Sequence, residues 1–132
     1  MPKKSYMPLI LWSVGLIVIT VATCFLPFST VFLVAVINNE ISLALAGVMY
    51  LVYRNERVHW ITGVTYRQSV AAGSERRRLY RRRHFDTFLY ARLVTFAMTV
   101  TLLTLKRGVW PHLISCWIII LIAGFSTIRF KL

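Results

Sequence analysis

The chain is poor in acidic side chains. Glu40, Glu56, Glu75 and Asp86 oppose sixteen Lys and Arg, so 132 residues carry a formal net charge of +12. No two of these carboxyls stand together as a pair for acid–base chemistry. Cysteine is as sparse: Cys24 and Cys116 both fall within apolar runs. Neither is expected in a disulfide or on a metal, and plain packing is their default role. HExxH, CxxC and GxSxG motifs are absent, and His59, His84 and His112 stand apart from one another. Each histidine is expected near a membrane interface, against headgroups or backbone. Catalysis, a metal centre, a haem pair and any other cofactor are therefore not expected.

Apolar residues are what the chain has in abundance. They make up 58% of it, the mean hydropathy is +0.66, and they are segregated from the basic residues along the sequence. That pattern belongs to a polytopic membrane protein with one basic side. Four apolar stretches, at about residues 7–28, 31–53, 87–105 and 109–128, each approach the ~20 residues that cross ~30 Å of hydrocarbon. The fold expected is all-α: one membrane domain over 1–132, with four transmembrane helices arranged as two antiparallel hairpins. A cleaved signal peptide is not expected, because the first run is too long and lacks a small-x-small site near Cys24.

Charge sets the expected orientation. Residues 54–85 contain nine Arg against Glu56 and Glu75, a local excess of +7. Short basic loops stay on the cytoplasmic side. The linker at 54–86 and both termini, with Lys3, Lys4, Arg129 and Lys131, are then cytoplasmic, in a bacterial inner membrane. Lys106 and Arg107, in the turn after the third crossing, dissent. Pro8 and Pro111 suit helix starts and Pro27 a helix end. Trp12, Trp60 and Trp110 fall where interfacial anchors belong.

Within the linker, GSERRRLYRRRHFDTF opens on Gly73 and Ser74, a capping signal, and runs without a breaker into the third crossing. Arg76, Arg77, Arg78, Arg81, Arg82 and Arg83 surround this helix. Anionic lipid headgroups are one expected partner, at about 1 kcal/mol per basic residue near the surface. An acidic cytosolic protein surface is the other, because Arg pairs bidentately and the loop contains no Lys. Nucleic acid is not expected, for so short a loop cannot build a recognised binding fold. The preceding RVHWITGVTYRQSVAA is expected in the interface plane or packed beneath the bundle.

The triplet Asn38-Asn39-Glu40 interrupts the second crossing. On a helical wheel Ala35, Asn39, Ser42 and Ala46 share a face, with Glu40, Ala44 and Gly47 beside it. Ile37, Ile41, Leu45, Val48 and Val52 fill the opposite arc, the expected lipid side. A carboxylate facing lipid costs at least ~2.5 kcal/mol, so Glu40 must be paired, hydrated or protonated. Arg92 is the basic residue within a crossing, but counting from the cytoplasmic ends places it ~9 Å deep against ~21 Å for Glu40. Its stem is expected to snorkel toward the headgroups. Asp86 is better placed to meet the cytoplasmic arginines. Glu40 has three readings: a hydrogen-bonded packing and assembly element, an ion or proton relay, and a binding residue for a basic partner helix. A helix broken at Asn38–Asn39 would suit an ion site. The threonines of the third crossing suggest no continuous polar route, because threonine in a membrane helix bonds back to the preceding turn.

A compact four-helix layout with a membrane glutamate is similar to the small multidrug-resistance transporters, whose essential Glu lies in the first helix. Here Glu40 is in the second, the middle loop is long and basic, and no further motif matches. The function expected is that of a non-catalytic membrane subunit or regulator. It would assemble with another membrane protein or with copies of itself through Asn38, Asn39, Glu40, Ser42 and Arg92. The alternative is a small oligomeric ion or proton channel or transporter built on Glu40.

Overall fold

The computed structural model describes residues 5–61 and 63–132. Lys3 and Lys4, which entered the charge argument, lie outside the described residues. The described residues form five α-helices: α1 (Met7–Cys24), α2 (Thr30–Asn55), α3 (Tyr66–Ala71), α4 (Ser74–Thr104) and α5 (Val109–Thr127), with a 3-10 turn at Val58–Trp60. No strand occurs among the described residues. Helices α1, α2, α4 and α5 are long and apolar enough to cross a membrane, as a multi-pass membrane protein requires.

Local chemistry explains most boundaries. Pro8 sits in the first turn of α1, where its missing N–H costs nothing. The helix ends at Cys24, earlier than the expected 28, because the chain turns at Phe25 ahead of Pro27. The Ser29 side chain accepts from the Phe32 amide and caps α2, which then runs unbroken through the polar triplet. The break at Asn38–Asn39 that would suit an ion site is absent. Thr65 and Gln68 form a reciprocal capping box at α3. Helix α4 begins at Ser74 with Gly73 as its cap residue, at φ 75°, and continues without interruption into the third apolar stretch. Gly73 rather than the Ser74 hydroxyl makes the cap.

Helix α2 is the hub, packing against α1, α4, α5 and the 3-10 turn, while α4 also packs on α5. This overturns the expected lipid side of α2. Val52 is 1% exposed, Ile37, Ile41, Leu45 and Val48 are half-buried, and beyond the first residue, Thr30, the exposed residues are Phe32, Leu43, Tyr50 and Arg54. At 100° per residue those four fall on one narrow line between the Asn39 and Glu40 directions. With three neighbouring helices, a hub buries its bulky arc in protein and leaves lipid a slot. The small residues are used internally: Ala35, Ser42, Ala44 and Ala46 are buried.

At the end where α2 stops and α4 starts, the linker packs beneath the bundle, with Val58 and His59 buried. Glu56 caps α2 in the left-handed region, at φ 55°. Its carboxylate meets Arg81 at 3.4 Å and Arg77 at 3.8 Å. Arg81 Nη1 also donates to the Tyr53 carbonyl at 2.6 Å, one of the carbonyls left free at a helix C-terminus, and Arg77 donates to the Ser69 carbonyl. So two of the six clustered arginines are built into the fold, and Arg76, Arg78, Arg82 and Arg83 remain exposed.

Candidate intramembrane polar site

Successive residues of a helix point 100° apart, so three in a row address three directions. The triplet on α2 does this with one neighbour each. Asn38 Nδ2 donates to the His112 carbonyl of α5 at 2.9 Å. Asn39 Nδ2 donates to Thr99 Oγ1 of α4 at 2.8 Å, and its Oδ1 accepts from Arg92 Nη1 at 2.6 Å. The carboxyl of Glu40 accepts from Thr20 Oγ1 of α1 at 3.2 Å and from Thr23 Oγ1. Interhelical hydrogen bonds of this kind contribute about 0.6–1.7 kcal/mol each in membranes. They matter most at α1, of which Thr23 alone is buried. A second tie holds α1: Trp12 Nε1 donates to the Ala44 carbonyl at 3.0 Å, and the indole occupies the space a Cβ on Gly47 would need. Trp12 is therefore an interhelical staple rather than a simple interfacial anchor. Trp110, by contrast, is 73% exposed.

Every donor and acceptor of Asn39 is used. Its second amide hydrogen goes to the Ala35 carbonyl, while Thr99 donates onward to the Thr95 carbonyl. Thr101, Thr104 and Thr87 back-bond in the same way, as expected, whereas the buried Thr95 hydroxyl has no hydrogen-bond partner among the described residues. Ser42 is spent within its own helix, on the Asn39 carbonyl.

Arg92 departs from its expected direction. Instead of snorkelling toward the basic end it turns deeper, to Asn39 and over the Phe96 ring at 5.4 Å. The depth count misplaced it because α4 is tied to α2 by register: Arg81 meets Tyr53, and Thr99 meets Asn39. That register puts Arg92 about four to six residues, ~6–9 Å, from the level of Glu40 rather than ~12 Å. No ion pair joins the two, and neither belongs to any ion pair among the described residues. Asp86 does pair with a linker arginine, Arg82, at 3.7 Å.

Asn39, Glu40 and Arg92 line a lateral groove of about 310 Å³ between α2 and α4. Its rims are Phe32 and Leu43 of α2 and Phe96 and Val100 of α4, all exposed. The polar groups thus form a band at one depth, facing sideways. Among the described residues no group of His, Cys, Asp and Glu could hold a metal ion. His84 and His112 are buried at 2% exposure each, so of the expected headgroup or backbone contacts these rings can make the latter. His84 Nδ1 meets the Tyr80 carbonyl at 2.9 Å, and its ring lies edge-on to Phe130. Thr20, Thr23, Trp12, Gly47 and Glu56 carry contacts that sequence reasoning missed. The three-residue spacing of Thr20 and Thr23, which sets both on one face of α1, was the available signal. Comparison with family models, with curated proteins and with solved structures gives no match.

Proposed function

We propose that the chain is a non-catalytic integral membrane subunit or regulator, which assembles with another membrane protein by seating one of its helices in the α2–α4 groove. Arg92 carries this reading. Its guanidinium has five N–H donors. One goes to Asn39, and no carboxylate among the described residues pairs with the charge. A charged side chain at mid-bilayer costs at least ~2.5 kcal/mol by insertion scales, so this group has most to gain from a partner. A carboxylate on an incoming helix supplies both the countercharge and a bidentate acceptor. Glu40, by contrast, is satisfied by α1 and serves as an internal packing element.

The positive-inside rule supports the orientation we adopt: linker and both termini cytoplasmic, in a bacterial inner membrane, with α1–α2 and α4–α5 as antiparallel hairpins. In that frame Arg78, Arg82 and Arg83 face anionic headgroups or an acidic surface of the same partner.

Affinity purification of the chain from native membranes in mild detergent, followed by mass spectrometry, tests the proposal. A stoichiometric foreign membrane protein is expected with the natural sequence and with Glu40→Gln. It should be lost in Arg92→Gln and in Leu43→Trp, which fills the groove. A partner-free homo-oligomer, with proton or ion flux in liposomes abolished by Glu40→Gln, would replace it with the channel or transporter reading.

A further inference from the structure

A second and larger cavity, of about 1000 Å³, opens beneath the bundle between the linker, α4 and the C-terminal end of α5. Its volume lies at the upper end of ligand clefts, roughly 300–1,000 Å³. Its walls are graded. Arg76, Tyr80, His84 and Phe88 recur every four residues and line it along one strip of α4, a rise of about 18 Å. Cation gives way to phenol, imidazole and phenyl along that strip. Lys131 joins Arg76 in the lining, which contains no Asp or Glu, while Met49, Ile61, Val64 and Ile128 are apolar. Tyr80 is 6% exposed. Neither Arg76 nor Lys131 is engaged in an ion pair there.

We infer that this cavity binds one anionic membrane lipid. Its phosphate lies on Arg76 and Lys131, and an acyl chain runs past Tyr80 toward Phe88 and Gly124. The inference is independent of the helix-docking groove, and a lipid held here would be a discrete ligand rather than part of the diffuse headgroup layer. An amphiphile fits because the walls change from cationic to apolar along the cavity; a free anion would leave the apolar end without an occupant. Gly124 offers a direct handle, since a Cβ there meets nothing within 4 Å and a larger side chain would enter open space without a clash.

Native mass spectrometry of the full chain in neutral detergent, with phosphatidylglycerol or phosphatidylcholine added, tests this. One retained phosphatidylglycerol per chain is expected, and phosphatidylcholine is not retained. Arg76→Gln with Lys131→Gln should weaken retention at least about tenfold, from the loss of two headgroup-facing cations. Gly124→Leu should weaken it as well, by filling the acyl end. Arg54→Gln with Arg67→Gln, two exposed residues outside the lining, should leave it unchanged. Equal retention of phosphatidylcholine, an equal loss in the Arg54/Arg67 pair, retention unaltered in Gly124→Leu, or full displacement by inorganic phosphate would each overturn the inference.

Discussion

The Thr23 hydroxyl has a single hydrogen but two acceptors in reach, the Ile19 carbonyl at 2.9 Å and the Glu40 carboxyl. A side chain at position 40 that can donate as well as accept would satisfy that arrangement. Glu40→Gln is therefore expected to leave the stability of the purified chain within about 1 kcal/mol, whereas Glu40→Ala should lose about 1–3 kcal/mol with its two interhelical bonds. Unfolding of the detergent-solubilised protein in a denaturant series reads both. Gly47→Ala is the steric counterpart, expected to cost about 1–3 kcal/mol by driving a methyl into the Trp12 indole. Trp12→Ala in the same chain should relieve most of that added cost, and a double-mutant cycle measures the coupling. The sequence made the oddity of Asn38, Asn39 and Glu40 visible, because polar groups stand out among aliphatics. It did not reveal that each pins a different neighbour, since the direction of a side chain acquires meaning only once the surrounding helices are in place.

Among elements, α2 and α4 depend on their ends. Glu56 combines an unfavourable left-handed backbone with two ion pairs, and its side chain is 37% exposed. Left-handed geometry costs a non-glycine residue roughly 1–2 kcal/mol, and half-exposed pairs return about 0–1 kcal/mol. Glu56→Gly is accordingly expected to be near neutral and Glu56→Ala mildly destabilising, a ranking that the same denaturant series checks. Arg81→Ala should cost more than either, because the buried guanidinium also satisfies the Tyr53 carbonyl at the end of α2. The four long helices were legible from hydropathy alone, as was the unbroken entry of α4 into its crossing. Which arginines belong to the fold was not. Arg77 and Arg81 share a face with each other, but that face gains its meaning from Glu56, which the turn after α2 brings to it. The lipid side of α2 was misread for a related reason: bulky aliphatics suit lipid and a helix interface equally, so hydropathy cannot separate a hub from a peripheral helix.

For the whole molecule, charge asymmetry predicts that an Arg107→Cys thiol reacts with a membrane-impermeant maleimide added to intact cells. A Glu75→Cys thiol should react only after permeabilisation. The same asymmetry leaves Arg92 as the positive group set apart from both ends, in a groove whose rims face outward. A helix seated there would cover Leu43, while Ile118, exposed on α5 and absent from the groove lining, would continue to face lipid. Photocrosslinking in native membranes compares the two positions within one chain, using a photoreactive amino acid at Leu43 in one version and at Ile118 in another. A crosslink to one foreign membrane protein from position 43, abolished by Arg92→Gln and absent from position 118, is the predicted result. Crosslinks to lipid alone from both positions, or to the same protein from both, would contradict a groove that receives a partner helix.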